Sequence, residues 1–109
     1  MTVTTWRPPV AGVVSAIEPR SGETILVVEG GGRGTATVAV PWLPDGDAAR
    51  RWRTCVRWID RVVLRVGRDG AQAEVHGVGH RLPLVRRISV PVALGLWRDG
   101  VQLIVLETD

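Results

Sequence analysis

Two histidines and a carboxylate lie close together in Glu74-Val75-His76-Gly77-Val78-Gly79-His80, and these residue types are good zinc ligands. A four-residue spacing aligns the histidines only on a helix, and Gly77 and Gly79 argue against a helix there. On a strand Glu74 and His76 share a face, and His80 joins them only if the glycines fold the chain back. Glu74, His76 and His80 are therefore the only metal candidates, and a metal site is not expected. The chain has one cysteine, Cys55, so an internal disulfide and a CxxC site are both excluded.

Other chemistry is fainter. Ser15, Ser21 and Ser89 have no GxSxG elbow around them. Cys55 falls on the apolar side of a helical pattern, where a thiol is normally inert. Glu18, Glu23, Asp45, Asp47, Asp69 and Asp99 sit in turn-like sequence, which reads as solvated capping groups. The run Gly30-Gly31-Gly32-Arg33-Gly34 lacks the GxxxxGK[ST] pattern and precedes strand-like sequence instead of a helix N-terminus. No catalytic set emerges and no cofactor is implied, so a non-enzyme is expected.

Charge is the strongest signal. Residues 50–68 hold Arg50, Arg51, Arg53, Arg57, Arg61, Arg65 and Arg68 against Asp60 alone, a local net charge of +6. Seven arginines and ten acids elsewhere give −3, so the overall +3 conceals a basic segment on a mildly acidic body. Such a field faces an anionic partner or a paired acidic surface. The chain has no Lys, Phe or Tyr but five Trp, a bias that a GC-rich genome explains without any selection of Arg over Lys. Arg50, Arg53, Arg57, Trp58, Arg61 and Arg65 are the candidate binding residues, with the Trp58 ring placed to stack on a partner. Glu18, Glu23 and Glu29 could receive another copy's arginines, and Trp6 and Trp42 are candidate interface anchors.

The elements that would position these residues follow from periodicity. Val10–Ile17, Thr24–Val28 and Thr35–Val40 read as a three-stranded antiparallel meander, separated by the Glu18–Gly22 and Gly30–Gly34 breaks. Over about 47–59, Ala48, Trp52, Cys55, Val56 and Ile59 fall on one side of a helical wheel, with Arg50, Arg53 and Arg57 opposite. Beyond it the helix could continue, with Val62, Val63 and Val66 on its apolar side but Leu64 among the arginines. The preferred reading is a strand in which Val62, Leu64 and Val66 alternate with Arg61, Val63 and Arg65, and Gly67–Gly70 turns into a second strand over 71–76. Ser89, Pro91 and Gly100 favour a short helix over about 90–98, with a strand turning at Arg98-Asp99-Gly100 as the alternative. Val101–Leu106 is almost unbroken Val, Leu and Ile, the pattern of an interior strand buried on both faces.

The expectation is a single α+β domain over residues 1–109, two-layered, with an antiparallel or mixed sheet of five to six strands. Its predicted core comprises Val14, Ile25, Val27, Val38, Trp52, Val56, Ile59, Leu64, Leu94, Leu103 and Val105. No apolar run approaches the roughly 20 residues needed to cross a bilayer, and the N-terminus lacks a secretory pattern, so a cytoplasmic protein with no membrane partner is expected. The functional expectation is a non-enzymatic module that binds a protein, another copy of itself included, through the arginine face. Nucleic-acid binding by the same face is the alternative, and an enzyme or small-ligand domain comes third.

Overall fold

The structure, a computed structural model, describes residues 10–42, 59–78 and 83–108. Its strands are β1 (Val10–Arg20), β2 (Glu23–Glu29), β3 (Thr35–Val40), β4 (Ile59–Gly67), β5 (Gly70–Val78), β6 (Pro83–Ile88) and β7 (Leu103–Glu107). Its helix is α1 (Val90–Arg98), and a single 3-10 turn, Gly31–Arg33, interrupts the glycine run. The α+β expectation fits, but the sheet has seven strands in the order β3-β2-β1-β7-β4-β5-β6, not five to six. The unexpected strand is β6. It starts with proline and carries two arginines, features that read as loop in sequence but are tolerated on a sheet edge.

The order has a simple logic. The predicted meander β1-β2-β3 forms one antiparallel wing, and β4-β5-β6 forms another. The chain's last strand then runs between them, antiparallel to β1 and parallel to β4. Val105 lies opposite Gly12 on one side and Leu64 on the other. Leu103 and Val105 are fully buried, whereas Ile104 and Leu106 on the opposite face are half-buried, so the second face is less covered than the run of apolar residues implies.

Helix α1 closes the inner face. Val90, Val92, Ala93, Leu94, Gly95 and Leu96 are all buried, and the helix packs on β4, β5 and β7. Such all-round burial demands a surrounding wall. Burying Leu94 and Leu96 contributes roughly 1.5–3 kcal/mol each. Ser89 caps the N-terminus, its hydroxyl accepting from the Val92 N–H at 3.4 Å, with Pro91 in the first turn. At the other end the Val101 N–H reaches the Leu96 carbonyl and the Gly100 N–H reaches that of Trp97, a Schellman closure with Gly100 at φ 100°. The Trp97 indole N–H donates to the Val14 carbonyl at 3.1 Å, tying the helix to β1.

The sheet curls around this helix. Trp42, just beyond β3, lines one cleft together with Ala71 and Gln72 of β5. In a flat sheet, five strand spacings of about 4.8 Å would hold β3 and β5 roughly 24 Å apart. Side chains of β3, β5 and α1 accordingly share one core.

Within that core Val14, Val38, Leu64, Leu94, Leu103 and Val105 are buried as predicted, and Ile59 packs against its edge. Ile25 and Val27 are corrected: they are half-buried on the outer face, and Thr24, Leu26 and Val28 face inward. Ile25 and Val27 share their alternation with Glu23 and Glu29, whereas Thr24, Leu26 and Val28 carry no charge, so the uncharged set is the one that turns inward. The Thr24 hydroxyl, fully buried, is satisfied there by donating to the Trp42 carbonyl. Trp52 and Val56, like the predicted helix over 47–58, lie outside the described residues. Ile59, taken as that helix's last residue, instead opens β4. Among the described residues no helix is long and apolar enough to cross a membrane.

Two glycines test this architecture differently. A Cβ on Gly12 would meet the Glu29 carbonyl carbon and a Val28 methyl, each at 2.8 Å, because β1 coils tightly onto β2 there. One on Gly100 would meet nothing within 4 Å, leaving only backbone strain. Denaturant unfolding should therefore show Gly100→Ala losing roughly 1–2 kcal/mol, and Gly12→Ala losing more, up to about 3 kcal/mol or failing to fold.

Candidate functional site

Because side chains alternate along a strand, Arg61, Val63 and Arg65 of β4 point to the outer, convex face, as the sequence predicts. Register extends that face across the second wing. Arg61 lies opposite His76, which lies opposite Val85; Val63 lies opposite Glu74, which lies opposite Arg87; and Arg65 lies opposite Gln72. Cross-strand neighbours of this kind are about 5 Å apart.

Glu74 is the hub. The Arg65 Nε–H donates to Glu74 Oε1 at 3.0 Å, while His76 Nε2 stands 3.3 Å from Oε2 without the alignment of a hydrogen bond. The Arg65 guanidinium holds the Glu74 carboxyl below the usual glutamate range, only partly opposed by burial, and His76 adds a smaller effect in the same direction. A general base poised near neutrality needs the opposite shift, so Glu74 is arranged as a structural counter-ion. Arg61 is paired too, through Nη1 at 2.9 Å from Asp60 Oδ2, at the bulge that opens β4.

Glu74 and His76 thus share a face, as strand alternation predicts, while His80 lies outside the described residues. Among those residues no group of three His, Cys, Asp or Glu side chains could hold a metal. Arg50, Arg53, Arg57 and Trp58 also lie outside them, as do Cys55 and Trp6. Of the proposed binding set, the described residues contain Arg61 and Arg65, on one face and four residues apart.

Compared with known proteins, the chain matches no family model, no curated protein and no solved structure.

The face has a margin that the sequence reading missed. β6 ends the sheet among the described residues, and Leu84 and Val85 are 42% and 53% exposed. Beside them Arg86 and Arg87 are exposed and form no ion pair with a described residue. The signal for this site was Pro83-Leu84-Val85-Arg86-Arg87-Ile88 itself, in which a leading proline and paired charges are edge-strand features.

Two further features are less promising. A wide-mouthed cleft of about 630 Å³ lies at the β4–β5 turn, where Trp42, Arg65, Arg68 and Asp69 meet over Gly67 and Gly70. Trp42 is half-buried against the core, a lid position more than an interface anchor. The acids Glu23 and Glu29 stand at opposite ends of β2, about 20 Å apart, and Glu18 contacts Arg20 at 3.4 Å. Register places Glu18 opposite Ile25, on the same face as Glu23 and diagonal to it, with Glu29 at the far end.

The Arg65–Glu74 pair has a pH signature. A lowered Glu74 pKa stabilises the fold above the unfolded-state value, and that contribution disappears as pH falls through the lowered folded-state value. Glu74→Gln should therefore lose less than about 1 kcal/mol at pH 7, as surface pairs do. Urea titrations repeated at falling pH should show the gap from the native protein closing in the acid range, and closing sooner at high salt.

Proposed function

We propose that this chain is a small, cytoplasmic, non-enzymatic module that binds a protein partner through the arginine-bearing outer face of its second wing. The observation carrying this reading is the juxtaposition of exposed Arg86 and Arg87, which form no ion pair with a described residue, with exposed Leu84 and Val85. Val85 and Arg87 share the face of Arg61 and Arg65, while Leu84 and Arg86 turn to the other side of the same strand. Charge interleaved with apolar side chains resembles a protein interface, where a polar rim surrounds apolar contacts. Arg61 and Arg65 already meet Asp60 and Glu74 at 2.9 and 3.0 Å, so an acidic protein and a phosphate backbone would each have to exchange those intramolecular acids. The protein reading rests on the apolar Leu84 and Val85 beside the charge. Arg50, Arg53, Arg57 and Trp58, adjoining β4 in sequence, extend the same basic segment and belong to the proposal on charge alone.

Anisotropy titrations against acidic, neutral and basic peptide pools, and against mixed DNA and RNA oligonucleotides, test the proposal at 50 and 200 mM salt. Acidic peptides should bind, Arg61→Gln/Arg65→Gln should weaken them, and oligonucleotides should not compete. Submicromolar oligonucleotide binding with a log–log salt slope near about −3, lost in the same variant, would replace the protein reading with a phosphate-binding one.

A further inference from the structure

We infer that the partner docks by strand addition, as an extended acidic segment laid antiparallel along the edge of β6 that no described strand pairs with; this rests on the partner-binding reading above. Every second residue of an edge strand turns its backbone N–H and C=O away from the sheet, leaving a template for one more strand. β6 pairs with β5 from Pro83 to Ile88, and its other side has no strand among the described residues.

Side-chain placement selects the occupant. Arg86 and Arg87 are consecutive in a strand, so they project to opposite faces and their charges straddle the edge. A nucleic-acid backbone passing along one face would meet only one of them. Another strand has side chains that also alternate up and down, so it can meet both with two consecutive acids. Leu84 and Val85 alternate in the same way and would each meet an apolar neighbour. An antiparallel segment therefore reads acid–acid–apolar–apolar from its N-terminus, opposite Arg87, Arg86, Val85 and Leu84 in turn. Arginines on an edge also repel neutral or basic strands, which restricts the site to a segment supplying the opposite charge.

A second copy is a poor occupant. Its other edge strand, Thr35–Val40, carries no acid, and its own β6 would bring two more arginines to the same seam.

Two labelled ten-residue peptides of identical composition decide the matter. One carries Asp-Glu-Val-Val between neutral flanks, and the other carries the reverse order. The forward peptide should bind about ten-fold more tightly than the reverse, and its binding should weaken between 50 and 200 mM salt. Hydrogen exchange at the outward-facing amides of β6 should slow at least about ten-fold on binding, whereas a peptide resting on the outer face would leave them unchanged. Arg86→Glu/Arg87→Glu should lose this peptide and gain one carrying Lys-Lys-Val-Val, a rescue that also shows the variant folded. Equal binding of both orders with β6 exchange unchanged would overturn strand addition and leave the partner-binding reading standing. Failure of both peptides to bind would overturn strand addition as well, and the peptide-pool titration then judges the broader reading separately.

Discussion

Everything in this fold depends on where the last strand goes. Among the described elements β7 alone pairs with both wings, antiparallel to β1 and parallel to β4. Until it inserts, each meander exposes an edge of unpaired backbone and a row of apolar side chains. Insertion satisfies both edges together and places Leu103 and Val105 at the centre of the core. Gly12 opposite Val105 is part of the same constraint, because β1 can coil onto β2 beside the new seam only if no Cβ stands there. The contacts that close the sheet are therefore distant in sequence: Val10 lies opposite Glu107, nearly the whole described chain apart.

Helix α1 turns that sheet into a curled one. An apolar helix buried around most of its circumference needs walls on several sides, and a flat sheet offers one. The curl brings Trp42 to β5 and directs the outer alternation of β4, β5 and β6 outward on a convex surface. It also leaves β6 as a terminal strand. The candidate site is thus a by-product of core closure. The inner face belongs to α1 and the seam to β7, and of the two edges of the described sheet, β3 and β6, it is β6 that carries exposed arginines.

Much of this was legible locally. The β1-β2-β3 meander, the alternation of β4, and the helix from Ser89 to Gly100 each followed from short-range periodicity, turn chemistry or capping. That Arg61 and Arg65 face outward together, and that Glu74 and His76 share a face, needed only the two-residue period of a strand. The face chosen by β2 was misread although it was legible. Ile25 and Val27 are as apolar as Leu26 and Val28, but they share their alternation with Glu23 and Glu29, and burying the uncharged set avoids desolvating two acids. β6 was missed because an edge strand needs only one good pairing side, so its sequence can carry proline and arginine that an interior strand would reject.

The sequence by itself determined the local elements and the charge contrast, because periodicity, caps and net charge are properties of neighbouring residues. Only the tertiary structure decided which strand became the seam, which arginines were paired with Asp60 and Glu74, and which stand exposed on a strand that ends the described sheet. Pairing and exposure depend on residues far apart in the chain meeting in register, and no local pattern encodes that meeting.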